Sequence, residues 1–136
     1  MQYLGIDYGK ARIGLAISET GQIARPIGHI KNKGDAKNIA VIRELCAKHQ
    51  IKYIVCGIPL DTGANETDMS REVRRFGEKL GIEVAYHNER YSSLEAEEYI
   101  REKMGITKRE KVKELVDGVA AAMILQSYLD SRRNKK

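Results

Sequence analysis

Residues 3–17 read YLGIDYGKARIGLAI, and this stretch decides the fold. Apolar runs at 3–7 and 13–18 are separated by a short turn that contains Gly9, which predicts two antiparallel strands. Asp7 lies inside the first apolar run. A carboxylate in a half-buried strand destabilises the fold unless a cation or hydrogen bonds compensate its charge. We therefore expect Asp7 to have a binding partner.

The composition is that of one globular domain. The chain has 136 residues and a mass of 15.4 kDa, with 42% hydrophobic and 32% charged residues. We predict a single domain over residues 1–130 and a basic flexible tail over residues 131–136. Cys46 and Cys56 lack zinc-ligand spacing and are expected to be small core residues.

The net charge is +5, which favours a polyanionic partner such as nucleic acid. The sequence contains no run of 18 apolar residues and no signal peptide, so we expect a cytoplasmic protein with no membrane partner.

The order of predicted elements indicates a mixed sheet. The third strand is predicted over 22–31, and Pro26 fits an edge strand or a bulge better than a central position. Short connections imply that the first three strands are antiparallel. The later elements are predicted as a helix from Asp35, a strand at 53–57, a helix at 66–80, a strand at 82–87, a helix capped by Ser92 or Ser93, and a helix at 109–130. The predicted sheet thus has five strands, three antiparallel followed by two parallel, and is flanked by helices. This is the α/β arrangement of the ribonuclease H-like fold.

Two further acids lie in unusual places. Glu89 follows the last predicted strand, and Asp117 interrupts the apolar run of the last helix. With Asp7 they are carboxylates from three separate elements, the oxygen ligands that Mg²⁺ prefers. If they converge, two such ions could position a water and stabilise the leaving oxygen of a phosphodiester. The ordinary alternatives are that Asp7 binds turn amides, Glu89 pairs with Arg90, and Asp117 pairs with Lys113 one turn earlier.

Basic residues near these acids are candidates for binding phosphates. Lys10, Arg12 and Arg90 are close to the acids in sequence, and Arg71 lies on a helix face rich in arginine. Cationic side chains of this kind contact the nucleic-acid backbone. A turn or a helix face with such charges can equally be solvated.

Four motifs span most of the chain: LGIDYGKARIG at 4–14, VCGIPL at 55–60, NERYSS at 88–93 and VDGVAA at 116–121. Together they resemble the YqgF/RuvX family of ribonuclease H-like nucleases, relatives of the RuvC Holliday junction resolvases. The resemblance implies a divalent-metal-dependent nuclease in which Asp7, Glu89 and Asp117 form the acidic triad that binds Mg²⁺ or Mn²⁺. It implies trimming of the 5′ end of the precursor of 16S ribosomal RNA, with ribosomal particles as candidate partners, or cleavage of Holliday junctions in branched DNA.

The chain departs from the family pattern at two positions. Asn88 replaces the usual aspartate before Glu89, which keeps the ligand position. Ala120 stands where several related enzymes carry a fourth acid, so a second metal ion would need Asp61 or a substrate phosphate as an oxygen ligand.

Other classes of function are also compatible with parts of the sequence. Asp7, Gly9 and Gly14 match the phosphate loop of actin-like sugar kinases and chaperone ATPases, but those proteins need two such domains. A non-catalytic RNA-binding module on the same fold is a further reading. The sequence does not decide whether the substrate is RNA or branched DNA, or whether the protein is a monomer or a homodimer.

Overall fold

The computed structural model of the chain describes residues 1–89 and 92–134. Its elements, in chain order, are β1 (Tyr3–Tyr8), β2 (Arg12–Ser18), β3 (Arg25–Lys31), α1 (Asp35–His49), β4 (Tyr53–Ile58), α2 (Asp68–Glu78), β5 (Glu83–Asn88), α3 (Ser92–Glu102) and α4 (Arg109–Arg133). The strands form one sheet in the order β3-β2-β1-β4-β5. Pairs β1–β2 and β2–β3 are antiparallel, whereas β1–β4 and β4–β5 are parallel. The predicted mixed five-stranded sheet is confirmed.

Some predicted boundaries differ from those of the structure. The third strand begins at Arg25 rather than at residue 22, because the Thr20 hydroxyl accepts the backbone N–H groups of Gln22 and Ile23 and holds them in a turn. Helix α4 continues to Arg133, so residues 131–133 of the predicted tail are helical. Residues 135–136 of that tail lie outside the described residues.

The edge position predicted from Pro26 is confirmed. Strand β3 is the outermost strand beside β2, and the register between them shifts at Leu15/Ala16. Pro26 has no N–H to donate to a ladder, and Gly28 adopts a φ of 116°, so this segment suits an irregular edge.

The sheet is covered on both faces. Leu4 and Ile6 of β1 point to the face carrying α1 and α2, where Phe76 lies in the same cluster. Tyr3 points to the opposite face, where Leu125 of α4 packs. Since side chains alternate along a strand, Asp7 lies on the α4 face with Tyr3.

Both cysteines are buried and free, as predicted for small core residues. Cys46 lies in α1 and Cys56 in β4. Burial raises the pKa of the Cys56 thiol to about 12. Among the described residues, no helix is long and apolar enough to cross a bilayer.

Candidate active site

Asp7 lies between two glycines on neighbouring strands. Its partner across the β1–β2 pair is Gly14. On the other side, Ile6 is aligned with Cys56 of β4, so Gly57 is the next residue alongside Asp7. The strand on each side of Asp7 therefore lacks a side chain at that level of the α4 face.

Gly14 lets the last helix approach the sheet closely. A Cβ atom at Gly14 would overlap the backbone oxygen of Asp117. Gly118 is the residue after Asp117 on α4, and a Cβ atom there would lie 3.1 Å from the backbone nitrogen of Gly28 on β3. Close contact of α4 with β2 and β3 thus places Asp117 over the cross-strand partner of Asp7.

Gly57 has the same function for Glu89. The Glu89 amide donates to the Ile58 carbonyl across 3.0 Å, which fixes the backbone at the end of β5. A Cβ atom at Gly57 would lie 2.9 Å from Glu89 Oε2 and 2.7 Å from Ile124 Cδ1. The Glu89 side chain therefore folds back over β4 toward Asp7, through space that only a glycine leaves open.

The three carboxylates interact electrostatically. Burial raises the pKa of Asp7 to about 7, with further contributions from the negative charges of Glu89 and Asp117. A raised pKa means that the charged carboxylate of Asp7 is disfavoured, and a nearby cation would stabilise that charged form. Three elements distant in sequence thus bring their acids near enough for Glu89 and Asp117 to act electrostatically on Asp7.

Asp117 has a cation as its partner in this structure. Arg12 Nε donates a hydrogen bond to Asp117 Oδ2 across 2.6 Å. This ion pair replaces the local pairing with Lys113 that the helix spacing allowed. Arg12 therefore lies at the carboxylate cluster, as the sequence suggested.

The other predicted phosphate-binding residues differ in position. Lys10 is exposed on the β1–β2 turn, beside the cluster in sequence. Arg71 Nη1 donates to Asp68 across 3.1 Å on α2, which packs on the opposite face of the sheet. Arg71 is thus not brought to the α4 face that carries Asp7. Arg90 lies outside the described residues.

Two asparagines hold the turn that carries Lys10. Asn32 Nδ2 donates to the Gly9 carbonyl across 2.9 Å, and its backbone N–H donates to the Ala11 carbonyl across 2.9 Å. The buried Asn38 donates to Asn32 Oδ1 across 2.8 Å. Sequence reasoning missed Asn32 and Asn38, as it missed the function of the glycines flanking Asp7, because no local pattern links them to the turn.

The donor set suits a divalent cation, although the observed side-chain arrangement does not enclose one. Asp7, Glu89 and Asp117 offer only oxygen atoms, and their mutual repulsion favours binding of a cation. Within residues 1–89 and 92–134, no group of three or more His, Cys, Asp or Glu side chains is arranged to hold a metal ion. The Arg12 guanidinium holds the carboxylate of Asp117 instead. The three-carboxylate metal site stays a prediction.

A fourth ligand is not evident at the suggested positions. Ala120 is 1% exposed and packs with Ala96 and Ile100 between α3 and α4. Asp61 Oδ1 accepts the backbone N–H groups of Gly63 and Asn65, both across 2.9 Å. That oxygen stabilises its own loop.

Solved structures define the fold class. RuvC of Thermus thermophilus in complex with a Holliday junction substrate aligns with a TM-score of 0.56 and 16% identity, over 98% of this chain and 96% of that chain. The fowlpox virus resolvase in complex with Holliday junction DNA aligns with a TM-score of 0.56 and 15% identity, over 97% and 99%. These similarities show the fold, which is ribonuclease H-like.

Sequence comparison defines the family. The model of the family described as "RuvX: Holliday junction resolvase" matches residues 1–131. A candidate pre-16S rRNA nuclease of Caldanaerobacter subterraneus subsp. tengcongensis is 36% identical over 139 residues, covering 98% of this chain and 99% of that protein. One of Endomicrobium trichonymphae is 41% identical over 132 residues, covering 93% and 94%. The chain belongs to the RuvX family, so its class is that of nucleases, hydrolases of phosphodiester bonds, and it binds nucleic acid.

Proposed function

We propose that this chain is a divalent-metal-dependent nuclease that trims the 5′ end of the precursor of 16S ribosomal RNA in the cytoplasm, on ribosomal particles or their RNA. The observation that carries the proposal is the position of Asp7 between Gly14 and Gly57, with Asp117 and Glu89 reaching toward it from either side. The names of the relatives support the choice of RNA substrate.

Asp7, Glu89 and Asp117 are the residues that would hold Mg²⁺ or Mn²⁺. A divalent cation there supplies a polarised water and charge neutralisation for attack on a phosphodiester. Asp7 provides the central carboxylate, held rigidly within β1. Glu89 and Asp117 come from elements whose backbones are fixed against β4 and β2.

Arg12 and Lys10 supply positive charge for the substrate. Arg12 lies at the cluster and has a side chain that is 38% exposed, so its remaining guanidinium N–H groups can reach a phosphate. Lys10 projects from the turn held by Asn32. Contacts of this kind orient the backbone without reading the base sequence.

Cleavage of a labelled precursor RNA by the purified chain tests the proposal. We expect cleavage with Mg²⁺ or Mn²⁺ and none with EDTA. Asp117→Asn should keep the fold and lower the rate by roughly 100-fold or more, as removal of an essential electrostatic group does. Asp130→Asn is the matched control, because Asp130 lies on the same helix but is exposed and paired with Arg133. Asp130→Asn should cleave like the wild type.

Unchanged cleavage by Asp117→Asn would rule out its assigned role. If the wild type bound metal but left precursor RNA and a four-way DNA junction both intact, the non-catalytic binding module would be the correct reading.

Holliday junction cleavage is the second candidate, because the family description names it. A resolvase would act as a symmetric dimer that places two sites on two strands. Mass in solution, measured with and without a four-way junction, distinguishes a junction-bound dimer from a monomeric trimming enzyme.

A further inference from the structure

The last helix leaves one strip of the sheet uncovered. Helix α4 packs against β1, β2, β3 and β4, whereas β5 lies at the sheet edge. His87 and Ala85 of β5 point to the α4 face and are only half-buried. A groove therefore runs between β5 and the C-terminal half of α4. We call it the β5/α4 groove.

Aromatic side chains line this groove. Tyr128 of α4 lies 6.4 Å from Tyr3 between ring centroids, and Tyr3 lies 5.6 Å from Tyr53. His87 meets Tyr128 edge-on at 6.0 Å, and its Nε2 lies 2.9 Å from Ser127 Oγ. Two cavities, of about 200 and 410 Å³, share Tyr128 and Arg132 as lining residues. Flat rings that border open cavities are the surfaces on which nucleobases stack.

Positive charge accompanies the aromatic rings. Arg132 Nη1 donates to the Tyr128 hydroxyl across 3.1 Å, and its guanidinium carbon lies 5.7 Å from the centroid of that ring. Lys52 lines a neighbouring cavity that shares Tyr53 with the inner cavity of the groove. Glu83 is an acid in the inner cavity, while Asp130 is paired with Arg133. Grooves that bind single-stranded nucleic acid combine aromatic rings, on which bases stack, with positive charge along the backbone.

The groove and the carboxylate cluster lie on the same α4 face of the sheet. His87 of β5 is two residues before Glu89, which follows that strand, and Tyr3 precedes Asp7 by four residues on β1. At a rise of about 3.3 Å per residue, Tyr3 lies roughly 13 Å from Asp7 along the strand. A strand held at the carboxylates therefore reaches Tyr128 within a few nucleotides.

We propose that the β5/α4 groove binds a single-stranded segment of the RNA substrate that leads away from the cleavage site, with Tyr128 stacking on a base and Arg132 holding a phosphate. This inference rests on the proposed function. Single-stranded RNA fits the groove better than a duplex, because the rings become available only to bases that are not stacked within a helix.

Binding of a labelled single-stranded RNA to the full chain in EDTA, followed by fluorescence anisotropy, tests the inference without requiring cleavage. Tyr128→Leu keeps apolar area but removes the ring, and Arg132→Gln removes an exposed charge. Each should weaken binding by roughly 5-fold or more, the range expected for one stacked base. Arg43→Gln is the matched control, because Arg43 is exposed on α1, on the opposite face of the sheet. It should bind like the wild type.

Wild-type affinity in both groove variants would overturn the inference, as would an equal loss in Arg43→Gln. Arg132→Gln alone decides the question if Tyr128→Leu does not fold, since the Arg132 side chain is exposed. Equal losses for single-stranded and duplex RNA would also contradict it. Asp117→Asn separates the two proposals, because it should lose cleavage and keep groove binding.

Discussion

Arg12 Nε donates a hydrogen bond to Asp117 Oδ2 across 2.6 Å, joining the start of β2 to the middle of α4. The pair places a fixed cation beside an acid cluster that repels itself. Since an arginine is always charged, it can neutralise Asp117 before substrate arrives and bind a phosphate once it is there. RNA binding and stability, measured on one Arg12 variant, report on these two functions.

Arg12→Gln should weaken RNA binding and reduce its dependence on salt. Loss of one phosphate contact lowers the slope of log affinity against log salt by about 0.7–0.9. Loss of the partly exposed ion pair should also lower the free energy of unfolding by about 1 kcal/mol or less. Anisotropy titrations at several salt concentrations and urea denaturation measure both effects.

Lys10→Gln is the comparison for Arg12. It should reduce the salt slope by a similar amount and leave the free energy of unfolding unchanged, because Lys10 is exposed on its turn. Unaltered salt slopes in both variants would remove these residues from the nucleic-acid interface.

Asp7→Asn should stabilise the metal-free protein while abolishing cleavage. The pKa of Asp7 is raised from 3.8 to about 7 in the folded protein. Protonated Asp7 therefore stabilises the folded wild type below the lower value, and this stabilisation is lost as the pH rises through the upper value. An asparagine has no charge to lose. The advantage of Asp7→Asn in free energy of unfolding should grow by about 2–4 kcal/mol between roughly pH 4 and pH 8. Urea denaturation in EDTA measures it, and a pH-independent difference would show that burial and the neighbouring acids do not raise the pKa of Asp7.

Gly57→Ala should disturb Glu89 directly. The new methyl group would lie 2.9 Å from Glu89 Oε2 and 2.7 Å from Ile124 Cδ1, so the carboxylate must move. Because both atoms lie at the ends of flexible side chains, the loss of stability should be at the low end of the roughly 1–3 kcal/mol that overpacking costs. We expect the cleavage rate per folded molecule to fall as well, measured with the labelled precursor RNA.

Gly5→Ala controls for overpacking on the same face of the sheet. Its methyl group would lie 2.8 Å from Leu125 Cβ, away from the carboxylates. It should lose at least as much stability as Gly57→Ala, because the Ala121 carbonyl oxygen at 3.0 Å belongs to the helix backbone, and it should keep its cleavage rate per folded molecule. Equal losses of rate in both variants would mean that Gly57 has no specific relation to Glu89.

Regular patterns in the sequence predicted most of the fold. Alternating and continuous apolar runs predicted the strands, short turns predicted their direction, and Pro26 predicted the sheet edge. The start of β3 was missed because the Thr20 hydroxyl captures the next two amides, which a hydrophobic pattern does not record.

The site was predictable in part, because a carboxylate within an apolar run needs a cation or hydrogen bonds to compensate its charge. The three acids were proposed as a site in this way, but the residues that bring them near one another were not predicted. Asp117 pairs with Arg12, 105 residues away, rather than with Lys113 one turn earlier. Gly14 leaves room for the helix backbone at Asp117, and Gly57 leaves room for the Glu89 side chain. Asn32 acts by donating to the backbone carbonyl of Gly9. Such contacts depend on the assembled sheet, so spacing along the chain does not reveal them.

Anomalous diffraction from crystals soaked in Mn²⁺ tests the central claim most directly. The account predicts a peak within about 2.0–2.3 Å of oxygens from Asp7, Glu89 and Asp117, with Asp117 turned away from Arg12. A peak that touches none of these three carboxylates, or no peak beside them at saturating Mn²⁺, would contradict it.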